Sequence, residues 1–219
     1  MQGNEIEEEV TEMKAWQDKI RSVVPYTPGE QPNRPNMIKL NTNENPYPPA
    51  PGVRDVLDHF DEDRLRLYPD PTAGILVGAL ADYYHVGKDQ VFTGVGSDDV
   101  LAIAFMTFFN SDKPVLFPDI SYSFYSVWAD VHKVKYETVA LDENFNIIPE
   151  TFYKENGGII FPNPNAPTAI YMELDKVEDI IRHNQDSVVI IDEAYIDFGG
   201  KSAIDFVNKY DNVIVVQTY

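Results

Sequence analysis

Ser187-Val-Val-Ile-Ile-Asp-Glu-Ala-Tyr195 is an aliphatic run that delivers an aspartate at its end and a tyrosine three residues later. A short continuous apolar run is the pattern of a strand buried on both faces, as in parallel sheets covered by helices. In open sheets of that kind ligands bind beyond the carboxyl ends of the strands, which puts Asp192 and Tyr195 where a ligand sits. An anionic Asp there can keep a proton on the ring nitrogen of a cofactor, while a Tyr hydroxyl hydrogen-bonds a ring oxygen. The same strand fits ATPases that hold magnesium with Asp-Glu, but those need a Gly-x-x-x-x-Gly-Lys-Ser/Thr loop, and the chain has none. Taken alone, the stretch reads equally well as a solvated acidic strand end.

Around it, short β-rich runs alternate with helical patterns. Strands are expected at Val91–Thr93, Val115–Phe117, Lys135–Val139, Gly158–Phe161, Val188–Ile191 and Val213–Val216. Helices are expected at Gly52–Phe60, Thr72–Val86, Ser97–Asn110, Ser121–Val131, Pro149–Asn156, Glu173–Asn184 and Ala203–Tyr210. Such alternation specifies an α/β fold: three α/β/α layers around a mostly parallel central sheet.

The chain has 219 residues, of which 43% are hydrophobic, enough for one α/β domain with a real core. Its net charge of −19 repels phosphate backbones and anionic bilayers, so neither nucleic acid nor membrane is an expected partner. No apolar run approaches the ~20 residues of a membrane span, and the glutamate-rich start lacks the order of a signal peptide, so a cytoplasmic protein is expected. There is no cysteine, and His59, His85, His132 and His183 are scattered without ligand spacing, so no metal site is expected.

Ile6, Val10, Met13, Trp16, Ile20 and Val24 recur at helical spacing up to Pro25, which predicts a long first helix. The charge composition changes at Met13, so residues 1–12 read as an upstream extension. From Pro25 to Pro51 the density of Pro and Asn blocks regular helix and favours an extended arm. Residues 1–51 are thus a helix and arm, and residues 52–219 the domain proper, whose last strand runs into Tyr219 and looks cut short.

Three more strand ends carry chemistry. Gly94-Val-Gly-Ser-Asp-Asp99 precedes an apolar helix; Ser97 can cap it, and the free N–H groups of its first turn suit a phosphate. Both carboxylates would repel that phosphate unless they point outward or cap the turn. Pro118-Asp-Ile-Ser-Tyr122 brings an aromatic that can stack on a flat heterocycle or simply pack. Asn163-Pro-Asn-Ala-Pro-Thr168 brings an amide that can donate to a ring oxygen or simply make a turn.

These four elements in this order, with Lys39-Leu-Asn-Thr-Asn-Glu-Asn-Pro46 and Tyr68-Pro-Asp-Pro71, make the chain from about Met13 to Tyr219 resemble the histidinol-phosphate aminotransferases. That family has the large domain of fold-type-I pyridoxal-phosphate transferases. The resemblance implies pyridoxal 5'-phosphate as cofactor, with Ser97 and Asp98 at its phosphate, Tyr122 stacked on its ring, Asn165 near its ring oxygen, and Asp192 and Tyr195 binding and catalytic. It implies that Tyr68 reaches the cofactor phosphate of a neighbouring subunit in a homodimer, and that Tyr26 and Asn43 hold substrate. The implied reaction transfers an amino group between L-histidinol phosphate and 2-oxoglutarate in histidine biosynthesis.

The sequence departs from the family in three ways. The lysine that bonds the cofactor, expected in a Ser-Lys pair after Gln217-Thr218-Tyr219, is not in the chain; nor are the downstream arginines and the small C-terminal domain. Ala166 stands where many members have asparagine. Ala169 replaces a turn glycine, which costs about 1 kcal/mol if the position needs positive φ. Lys201 and Lys209 fall in a loop and a helix and read as surface charge. The alternatives are a related decarboxylase of a phosphorylated amino acid and a non-catalytic fragment, and an exposed strand at 213–216 is expected to promote association.

Overall fold

A computed structural model describes residues 19–24, 29–30 and 34–219. Five parallel strands form one sheet: β1 (Val115–Pro118), β2 (Tyr136–Val139), β3 (Gly158–Pro162), β4 (Val189–Asp192) and β5 (Val213–Val216), in the order β2-β1-β3-β4-β5. The helices are α1 (Pro51–Asp58), α2 (Gly74–Tyr84), α3 (Gly96–Phe108), α4 (Phe124–His132) and α5 (Leu174–His183).

Alternate side chains of each strand point to opposite faces, and the two cores follow that rule. Leu116, Ile159, Phe161, Val189 and Ile191 pack with Val177, Ile180 and Ile181 of α5 and with Phe152. Val115, Phe117, Ile160, Ile190 and Val216 pack with Leu101, Ala104 and Phe105 of α3 and Tyr125, Trp128 and Ala129 of α4. The expected three layers are therefore present. Every residue of β3 and β4 is buried, as two covered faces require.

The expected strand at Val91–Thr93 does not form. A strand exists through its ladder, and among the described residues no strand pairs with 91–94; with α2, α3 and β5 they line an apolar cavity of about 810 Å³. Two expected helices shrink to single 3₁₀ turns, Pro149–Phe152 and Ile204–Asn208. The first must end early because the chain turns into Gly157 and Gly158, where a Cβ would meet Lys113 O and the Phe109 ring at 2.4 and 2.3 Å. Residues 19–24 show no run of helix, and the rest of the expected first helix lies outside the described residues. The arm from 34 to 50 is exposed and without regular structure, and α1 starts at Pro51, a residue pre-shaped for a first helical turn.

Candidate functional site

Asp192 closes β4, flush in register with Pro162 of β3 and Val216 of β5. It is 4% exposed. Its Oδ2 accepts the Tyr125 hydroxyl at 2.7 Å, and its Oδ1 accepts the Ala194 N–H at 3.2 Å. Burial pushes its carboxyl up to about 6; these hydrogen bonds oppose the rise, and the nearby charges of Asp98 and Glu193 add to it. At neutral pH the group is mostly a desolvated anion, which a cationic N–H partner would stabilise.

Gly96, at φ +81°, lets the chain turn into α3, and Asp98 of its first turn lies close enough to bond Tyr122 and to act on Asp192. A Cβ on Gly94 would lie 2.7 Å from Asp99 Oδ2 and 2.9 Å from Val100 Cγ2, so any other residue would have to push both side chains aside. Ser97 does not cap the helix as expected. The N-cap is Val95, and Ser97, half-buried, lies inside the first turn because the helix begins one residue earlier. Both carboxylates of the motif are engaged. Asp99 turns back to accept the Val95 N–H at 3.0 Å, and Asp98 accepts the Tyr122 hydroxyl at 2.9 Å. This contact fixes Tyr122 at the start of α4, where its ring also meets Tyr125 and Trp128.

Tyr195, half-buried, accepts a hydrogen bond from Asn43 Nδ2 at 2.9 Å. A residue of the arm is thereby tied to the strand end that carries Asp192. Asn43 does so at φ +52°, a conformation that Asn tolerates better than most residues.

Asn165 is 2% exposed. Its Nδ2 donates to Ile120 O and Thr168 Oγ1, both at 3.0 Å, bridging the turns after β3 and β1. Both N–H bonds are thus directed within the protein, while its Oδ1 is buried without a partner among the described residues. The residue sits at the expected edge but presents an acceptor, where a donor to a ring oxygen was expected. Ala169 adopts φ +59°, so the alanine does occupy a left-handed position. Tyr68 is fully exposed and Tyr26 lies outside the described residues. Lys201 and Lys209 are exposed, and Lys209 pairs with Glu178.

Two groups escaped the sequence reading. Tyr125, three residues after Tyr122, is a phenol on the buried face of α4, and that spacing is the only hint of it. Glu193, 1% exposed, accepts from Ser202 Oγ at 2.6 Å, Ala203 N at 2.6 Å and Gln217 Nε2 at 2.7 Å. It fastens the loop after β4 to the end of β5. Gln217 in turn accepts the Tyr84 hydroxyl from α2.

The family model for aminotransferases of class I and II matches residues 35–219. The chain belongs to this family. Curated histidinol-phosphate aminotransferases of Lactococcus lactis subsp. cremoris (strain MG1363) and Pseudomonas syringae pv. syringae (strain B728a) are 52% and 55% identical to it over 205 residues, 94% of the chain. Those matches span 58% and 59% of the relatives' own lengths. The solved histidinol-phosphate aminotransferase of Clostridium acetobutylicum shares the fold, with a TM-score of 0.65 at 24% identity, over 75% of this chain and 51% of that one.

Aminotransferases of this family use pyridoxal 5'-phosphate, and the strand ends suit it. The buried anion Asp192 matches a ring N–H and the glycine-shaped start of α3 matches a phosphate, whereas Asn165, its amide hydrogens spent, offers the ring-oxygen side only an acceptor, Oδ1, unpartnered among the described residues.

Proposed function

We propose that this chain carries the cofactor-binding part of an aminotransferase that moves an amino group between L-histidinol phosphate and 2-oxoglutarate in histidine biosynthesis. The observation that carries the reading is Asp192: a carboxylate buried at the end of a central strand, held by two hydrogen bonds and facing no basic partner among its described contacts. The substrate assignment comes from the curated relatives at about half identity, which are named for it.

The bound cofactor would supply an electron sink for the bond broken at the substrate's Cα. Asp192 holds the proton on the ring nitrogen. Ser97 and Asp98, in the first turn of α3, receive the phosphate, with the carboxylates of Asp98 and Asp99 held back from it by Tyr122 and Val95. Tyr122 flanks the ring, and Tyr195 meets its oxygen while Asn43 draws the arm across the mouth. Asn43 and Tyr26 are the arm's substrate contacts, and Asn165 borders the ring-oxygen side.

A homodimer with Tyr68 reaching into its partner's site fits the exposure of the segment around it. Helix α1 buries no residue, and Val56, Leu57, Leu65, Leu67 and Ile75 all stand in solvent in the single chain, an unusual density of exposed apolar side chains. No helix among the described residues is long and apolar enough to cross a membrane, and we place the protein in the cytoplasm. Residues 1–51 act as the arm and residues 52–219 as the cofactor domain.

Equilibrium dialysis of the chain against pyridoxal 5'-phosphate tests the site. Asp192→Ala is expected to weaken binding at least tenfold, and unchanged binding would remove the reading. For the whole enzyme, glutamate formed from 2-oxoglutarate with L-histidinol phosphate as amino donor identifies transamination, whereas a phosphorylated amino acid that still has its carboxylate and releases carbon dioxide without an acceptor would identify decarboxylation.

A further inference from the structure

We propose that Tyr125 is a positioning residue for Asp192: its hydroxyl fixes Oδ2 and favours the ionised carboxylate, leaving the remaining lone pairs for a cofactor ring N–H. The inference rests on the cofactor reading of Asp192 given above.

Tyr125 is fully buried, and its ring is walled by Phe105, Phe117, Tyr122 and Trp128 at centroid separations of 5.8 to 6.4 Å. In such a cage phenylalanine would pack as well, so the hydroxyl has another role. A buried phenol needs a hydrogen-bond partner, and this one has Asp192 Oδ2 at 2.7 Å.

A carboxylate offers about four lone-pair sites. Tyr125 occupies one on Oδ2 and the Ala194 N–H one on Oδ1, so both oxygens are restrained and each keeps a free site. The type of donor matters. An Arg or Lys partner would neutralise Asp192 and compete with a ring N–H. A phenol stabilises the anion by hydrogen bonding and leaves its charge for the ligand. The other ionisable groups that act on Asp192 are Asp98 and Glu193, both acidic, so Tyr125 opposes them as well as burial.

The test compares Tyr125→Phe, Asp192→Asn and the double variant. In the cofactor-free chain, carbon-detected NMR titration should show the Asp192 carboxyl titrating about one to two pH units higher in Tyr125→Phe. The dissociation constant for pyridoxal 5'-phosphate at pH 7 should rise about tenfold, and the substitution should have no further effect in the Asp192→Asn background. A fluorotyrosine at 125, which keeps the hydroxyl but makes it a stronger donor, should shift the titration downward and guards against a Tyr125→Phe chain that fails to fold. An unmoved Asp192 titration in both variants would overturn the proposal, however far the melting temperature falls. Asp192→Asn with unimpaired cofactor binding would overturn the cofactor reading instead, while the titration still decides whether Tyr125 governs the carboxyl.

Discussion

Replacing Asp192 with asparagine should make the cofactor-free chain more stable while weakening its cofactor site. The buried carboxyl titrates at about 6 rather than 3.8, so the folded state binds its proton more tightly than the unfolded state does. An acid raised in this way costs nothing below the unfolded value; the cost grows as pH rises and is complete above the folded value. That rise corresponds to about 3 kcal/mol at neutral pH. Asparagine removes the charge but has one oxygen where aspartate has two, so either Tyr125 or the Ala194 N–H loses an acceptor, at about 1 kcal/mol. The net gain should be about 2 kcal/mol at pH 7.5. By pH 5 the titration cost has fallen by about half, so the gain should shrink to roughly 0.5 kcal/mol. Urea unfolding of both chains at the two pH values measures this directly. A variant no more stable at pH 7.5, or a gain that does not shrink on acidification, would refute the claim that desolvation dominates at Asp192.

Two further outcomes follow from backbone shape. Gly158→Ala places a Cβ 2.3 Å from the buried Phe109 ring at φ +146°, and strain plus overpacking should cost about 4 kcal/mol in urea unfolding; a loss below about 1 kcal/mol would mean that β3 shifts freely. Ala169→Gly relieves a left-handed alanine at φ +59° and should stabilise the chain by up to about 1 kcal/mol, seen as a higher melting temperature with cofactor affinity unchanged.

The sheet was largely legible because β3 and β4 are apolar on both faces and the helices between them are periodic. Val91-Phe-Thr93 has the same β-rich composition but no ladder partner, and composition carries no information about which edge lies within reach. Helix extents failed where a proline opened a segment that glycines soon closed, as at Pro149. At the site, strand-end residues could be placed because a parallel sheet gathers them at one edge. Roles set by who touches whom could not. Ser97 lost the cap to a helix that begins one residue early, Asn165 spent its donors on Ile120 and Thr168, and Tyr125 and Glu193 act through partners 67 and up to 24 positions away.

The aromatic cage around Tyr125 has an optical consequence. The Trp128 indole lies 6.1 Å from the Tyr122 ring and 6.4 Å from that of Tyr125, one ring removed from the surface on which the cofactor would stack. A pyridoxal chromophore absorbs where indole emits, so at that range it would drain the excited state of Trp128 by energy transfer. The helix that shapes the site thus carries a built-in lamp, dimmed by occupancy.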